Sequence, residues 1–127
     1  MTTLDLTMTA DVDGVPVPGF QPYTIQFPVR EVFQFTNTTS SSSYADVLAN
    51  VVTADAYVVR VCIVTTDTAV TLALFENGSP TYTFALNANQ LFLVAGNTTE
   101  KTSGGNPFLR VSVPSGTATL TGLIGIL

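Results

Sequence analysis

The chain contains no histidine, no tryptophan, one cysteine and one lysine among its 127 residues. Without histidine the usual general base of a serine or cysteine hydrolase is missing, and zinc loses its commonest nitrogen ligand. A Ser–Lys arrangement would have to use Lys101, which stands among small polar residues and reads as a solvated lysine. A lone Cys62 rules out an intrachain disulfide and with it the small disulfide-stapled scaffolds. It lies inside the apolar run 57–64, where a thiol behaves as a small buried hydrophobe. Positive charge is also scarce: Arg30, Arg60, Lys101 and Arg110 are the only basic residues, and no two are near each other in sequence. Phosphate neutralisation needs clustered Lys and Arg, so neither nucleic acid nor an anionic membrane surface is expected as a partner.

Charged residues make up 10% of the chain, against roughly 25% in an average soluble domain. The net charge of −5 therefore reflects missing base more than abundant acid. No apolar run approaches the roughly 20 residues of a membrane span. The first residues, Met-Thr-Thr-Leu-Asp, carry neither a basic stretch nor a long apolar one, so no signal peptide is expected.

What the chain does have is threonine, 21 residues of it. In Thr3-Leu4-Asp5-Leu6-Thr7-Met8-Thr9-Ala10 polar and apolar residues alternate, which puts the apolar side chains on one face of an extended strand. Threonine suits the opposite face, being β-branched, polar and uncharged. The pattern returns in Thr117-Ala118-Thr119-Leu120-Thr121-Gly122-Leu123. A 127-residue chain with 46% hydrophobic residues has the length and apolar content for one domain with its own core.

Strands are expected between turn signals over 2–10, 23–27, 29–36, 56–66, 69–76, 81–86, 90–95, 108–113 and 117–127, with Pro114-Ser115-Gly116 turning between the last two. Asn77-Gly78 predicts a tight hairpin. Residues 11–22, with Pro16, Pro18 and Pro22, predict an extended arm or edge segment, because proline donates no ladder hydrogen bond. Residues 44–52 are the one stretch with helical spacing; one or two turns capped by Ser43, a loop or a short strand all fit it. A long polar loop is expected over 96–106. Phe33, Phe35, Val59, Val61, Ile63, Leu72, Leu74, Phe84 and Leu93 are the expected core. The fold class is all-β: an antiparallel β-sandwich of about eight strands, jelly-roll-like or Ig-like, forming a single domain over 1–127 with the Pro-rich arm at about 11–22. The Cys–Trp–Cys signature of a true immunoglobulin domain is absent.

The nine carboxylates fall mostly at turns and strand ends, where they cap backbone N–H groups, so no glycosidase pair is read from them. Asp11-Val12-Asp13-Gly14 has the first half of a calcium loop without the later acidic ligands, and reads as a turn. No catalytic residue, metal or cofactor is expected. Tyr44, beside a Ser/Thr-rich loop, is the one tyrosine placed to meet a sugar.

The alternating first strand, the Asn77-Gly78 hairpin and the close running from Phe108-Leu109-Arg110-Val111 to Thr119-Leu120 resemble those of small virion structural proteins of tailed bacteriophages, capsid decoration or cement proteins and head-fibre bases. The resemblance implies a non-enzymatic capsid protein, assembled in the host cytoplasm and carried on the virion. Its partner would be the major capsid protein or another virion protein, with further copies of itself as a second class of partner. The alternative is a receptor- or glycan-binding module of a fibre or tail. Val15, Val17, Phe20 and Tyr23, in or beside the proline segment, are the expected interface residues, since prolines lower the entropy lost when an arm is ordered.

Overall fold

A computed structural model describes residues 2–18, 22–48, 51–52, 57–76, 79–95, 100–101 and 108–127. In chain order the strands are β1 (Thr2–Met8), β2 (Asp11–Val12), β3 (Val15–Pro16), β4 (Tyr23–Val29), β5 (Glu31–Thr39), β6 (Ala45–Asp46) and β7 (Tyr57–Thr66). They are followed by β8 (Val70–Glu76), β9 (Ser79–Leu86), β10 (Leu91–Ala95), β11 (Glu100–Lys101), β12 (Leu109–Ser112) and β13 (Ala118–Ile126). Two four-stranded antiparallel sheets pack as a sandwich, one in the order β10-β7-β13-β5 and the other β6-β12-β8-β9. Numbered 1 to 8 along the chain, the sandwich strands run 6-3-8-1 and 2-7-4-5. First pairs with last, second with seventh, third with sixth and fourth with fifth, as in a long hairpin rolled up on itself. That is a jelly roll, and its order differs from the ABED and CFG sheets of an immunoglobulin domain.

The alternation that predicts strands also assigns their faces. On β13, Ala118, Leu120, Ile124 and Ile126 point between the sheets and are fully buried. They meet Val64 and Cys62 from β7 and Leu72, Leu109 and Val111 from the other sheet. A β-bulge interrupts the alternation of β7. Gly125 pairs with Val61 and Ile126 with Val59, so Arg60 is the extra residue. The bulge shifts the parity of the strand: Tyr57 and Val59 face the core before it, Cys62 and Val64 after it. Val61, which falls between, faces outward and is nonetheless fully buried.

What covers Val61 is a third layer. β1 and β4 form an antiparallel ribbon, from Thr2 opposite Val29 to Met8 opposite Tyr23. Its apolar side, with Leu4, Leu6, Ile25, Phe27 and Val29, lies against Val61, Ile63 and Leu123 on the outer face of the large sheet. Two glycines of β13 make room on opposite sides of this sheet. A Cβ on Gly125 would lie 3.0–3.1 Å from Val61 and Val29, under the ribbon. A Cβ on Gly122 would meet the Ile63 carbonyl oxygen and lie 2.5 Å from Cζ of Phe35, its partner on β5.

Of the forms that fit residues 44–52, the structure takes the short strand, followed by a turn over 45–48: the Asp46 carboxylate accepts from the Leu48 N–H at 2.8 Å, and Val47, Leu48 and Val52 are buried in the core. One expectation is corrected. The loop expected over 96–106 contains β11, paired with β7 at Val58 and Tyr57; residues 96–99 and 102–107 lie outside the described residues. Asn77 and Gly78 lie outside them too, while Glu76 opposite Ser79 closes the β8–β9 hairpin that they join. Phe35, Val59, Val61, Leu72 and Leu74 are buried as expected, and Phe33 and Ile63 partly so. Phe84 is exposed because no strand among the described residues lies beyond its edge strand, and Leu93 because it pairs with Ile63 on the outer face of the large sheet while Phe92 and Val94 turn to the core.

Candidate interaction surface

Burial pushes the Cys62 thiol up to about 12, so at neutral pH it carries no thiolate. Tyr57 is raised as well, by burial first and by the Asp46 charge, with a backbone hydrogen bond at Phe108 acting the other way. Among the described residues no group of three or more His, Cys, Asp or Glu could hold a metal ion. Asp11 to Pro16 form a tight hairpin: Val12 pairs with Val15, and Asp13 and Gly14 take φ values of 53° and 78°. Positive φ at both central residues is the signature of a type I′ turn, for which Asp-Gly is a preferred pair.

Three exterior regions stand out. The first is this hairpin, an extension beyond the β1–β4 ribbon. All six of its residues are exposed, and Val12 and Val15 are exposed at 63% and 64%, an apolar pair at a tip. The segment read from sequence as an extended arm is thus locally a hairpin, held at its base by the Val17 N–H donating to the Ala10 carbonyl at 2.9 Å. Of the expected interface residues, Val15 lies at the tip and Val17 is half-buried at the base. Tyr23 pairs through its backbone with Met8, and Phe20 lies outside the described residues. Val12 was missed; the alternating pattern about Asp13-Gly14 was the signal that pairs it with Val15.

The second region is the part of the large sheet's outer face that the ribbon leaves open. Pairing aligns Thr36, Thr121 and Thr65 in a row across β5, β13 and β7. Thr38 and Thr119 form a second row, their hydroxyls 3.0 Å apart. Asp67 extends it: its carboxylate accepts from the Thr119 N–H at 2.8 Å and from the Thr68 hydroxyl at 3.1 Å. Those bonds, the backbone one first, hold the Asp67 carboxyl below its usual range. Thr66, Asn89 and Asp67 help to line a shallow trough of about 370 Å³ here.

The third region is the flank where the sandwich opens between β9 and β10, the edge strands on that side. Tyr82 and Phe84 stack at 6.3 Å between ring centroids, and Phe84 meets Phe92 at 5.2 Å. Tyr82 is 62% exposed and Leu91 60%. Elsewhere Tyr44 packs edge-on against Phe75, and the Arg110 guanidinium lies 4.2 Å from the centre of the same ring.

A scan against protein-family models and searches of curated proteins and of solved structures found no match to this chain.

Proposed function

We propose that this chain is a non-enzymatic structural module that docks on a larger protein assembly, and that the assembly is a virus particle. The observation that carries the docking reading is the hairpin tip, where a rigid type I′ turn holds two valines in solvent. A tight turn already in its bound shape loses little entropy on docking, and an apolar pair at its end suits a shallow pocket. The sparse charge of the chain agrees, since few ions must be desolvated at a contact. The virion is suggested by the phage-like style of the sequence and by the jelly roll, an architecture that recurs in viral capsid and lectin domains. Fold alone does not carry function, so the particle is the test. A module that binds the assembled shell more tightly than its separate parts stabilises the shell by mass action.

Deleting residues 1–22 would remove β1 and uncover Val61 and Ile63, so it would confuse docking with folding. The double substitution Val12→Ser/Val15→Ser leaves the ribbon intact. It is expected to abolish co-sedimentation with purified particles while keeping the melting temperature. Undiminished binding would sink the tip as the docking element. With four basic residues in the chain, wild-type binding should change little with moderate salt.

A second reading, glycan binding, is favoured by one feature, the hydroxyl-lined trough beside Asp67. A glycan array on which the wild type binds and Asp67→Ala does not would support that reading over the first.

A further inference from the structure

We propose that the flank formed by β9 and β10 is a contact between two copies of this chain. It is separate from the hairpin tip and does not depend on the docking reading.

Both strands end their sheets on the same side, so the flank presents two rows of backbone N–H and C=O groups without a strand partner among the described residues. Soluble proteins usually blunt such edges with lysine, other charges, proline or bulges. Here β10 reads Leu-Phe-Leu-Val-Ala, with none of these residues and with its pairing to β7 unbroken by a bulge, whereas β9 carries Pro80 and a bulge at Thr81 near its start and is regular only from Tyr82 to Leu86. Four of the exposed large hydrophobic residues, Tyr82, Phe84, Leu91 and Leu93, are on these two strands. No charged residue occurs between Glu76 and Glu100, the longest uncharged stretch of the chain.

That charge pattern selects the occupant. A chain of net charge −5 repels its own copies over most approaches. Along this flank two copies meet without opposing like charges, and an unpaired strand edge is self-complementary under a two-fold axis. An axis perpendicular to both sheets would pair β10 with its copy and bring β9 beside its copy. Centred on Leu93, it sets Leu93 against Leu93, Leu91 against Ala95 and Phe92 against Val94, all apolar pairs. The rings of Tyr82 and Phe84, half-covered in one copy, would then be enclosed by two. Eight residues of β9 span about 27 Å and five of β10 about 17 Å, and with the sheets about 10 Å apart the flank with its outer side chains offers about 400 Å² per copy, the size of a weak, concentration-dependent contact.

The test is the molar mass of the full chain by sedimentation velocity from about 1 to 100 μM, the range in which an interface of this size is expected to associate. A concentration-dependent dimer is expected for the wild type. Leu91→Lys and Tyr82→Lys, each at an exposed position, should give monomers with unchanged melting temperature. A positive readout guards against variants that merely misfold. The Leu93→Cys variant should form a disulfide-linked dimer on mild oxidation, because directly opposed antiparallel residues lie within disulfide reach. Val15→Cys should not, and the buried Cys62 does not compete. A wild type that is monomeric throughout, a dimer indifferent to Leu91→Lys, or equal cross-linking at Leu93 and Val15 would overturn the proposal.

Discussion

Phe35 and Phe84 are the same residue in nearly the same situation, with opposite outcomes. Each points inward from the edge strand of a sheet, Phe35 on β5 and Phe84 on β9. Phe35 is 5% exposed and Phe84 37%. The difference lies in what stands opposite. Phe35 faces Gly122, whose missing side chain leaves a slot that the ring fills against the β7 backbone. Phe84 faces Leu72 across its pair and can only lean on Phe92 and Tyr82, which share its open flank. An edge strand is closed by a small partner that lets a large side chain lie flat, or it stays open for another molecule.

The contrast can be broken at several points. Phe35→Ala should cost about 3–5 kcal/mol in denaturant unfolding, as truncations of buried aromatics do. Phe84→Ala, already half in water, should cost about 1–2 kcal/mol. Equal losses would mean that exposure does not distinguish the two sites. Next in size, Gly122→Ala should destabilise by about 1–3 kcal/mol, since its Cβ collides with a main-chain carbonyl that cannot turn away and with the Phe35 ring. Combined with Phe35→Ala, which removes the ring but not the carbonyl, the loss should be less than additive. The smallest effect is a titration in the interior. The raised Cys62 thiol and Tyr57 phenol are held neutral in the folded state and ionise more readily once unfolded. Their contribution is complete below the unfolded thiol value of about 8.5 and is lost as pH rises above it. The melting temperature should therefore fall from about pH 9 upward, and less steeply in Cys62→Ala relative to that variant's own value at pH 7.

Alternation in the sequence assigns faces well. Leu4, Leu6 and Met8 are the partly buried residues of β1, and Asp5 and Thr7 between them are exposed, as the period of two requires. Alternation cannot say where a strand lies in its sheet, which is why Phe84 reads as core, nor which face of an apolar run such as Leu91 to Ala95 turns inward, which is why Leu93 does. Central and edge positions depend on which strands pair, and partners such as β5 and β13 are about 80 residues apart. The bulge at Arg60 was illegible for the same reason, since an extra residue exists only relative to its partner. Residues 44–52 left helix, loop and short strand open because Asp46 accepts an N–H two residues on as readily as a helix cap would accept one, and apolar spacing over nine residues fits each form. At the tip, Asp13-Gly14 announced its turn, while the pairing of Val12 with Val15 needed the turn type as well.

The order in which the strands pair also bears on how the protein is made. β13 lies between β7 and β5, so one of the two inner strands of the large sheet is made after the other three. Until then β5 and β7 have no neighbour on that side, and the ribbon has no finished face to cover. A nascent chain carries both open edges until β13 emerges, and long-range pairing of this kind closes slowly. The scarcity of charge that suits the finished surface leaves those edges poorly protected in the interval. Synthesis of this protein should thus be sensitive to crowding by its own unfinished copies, and the final nine-residue strand acts as the latch that ends the exposure.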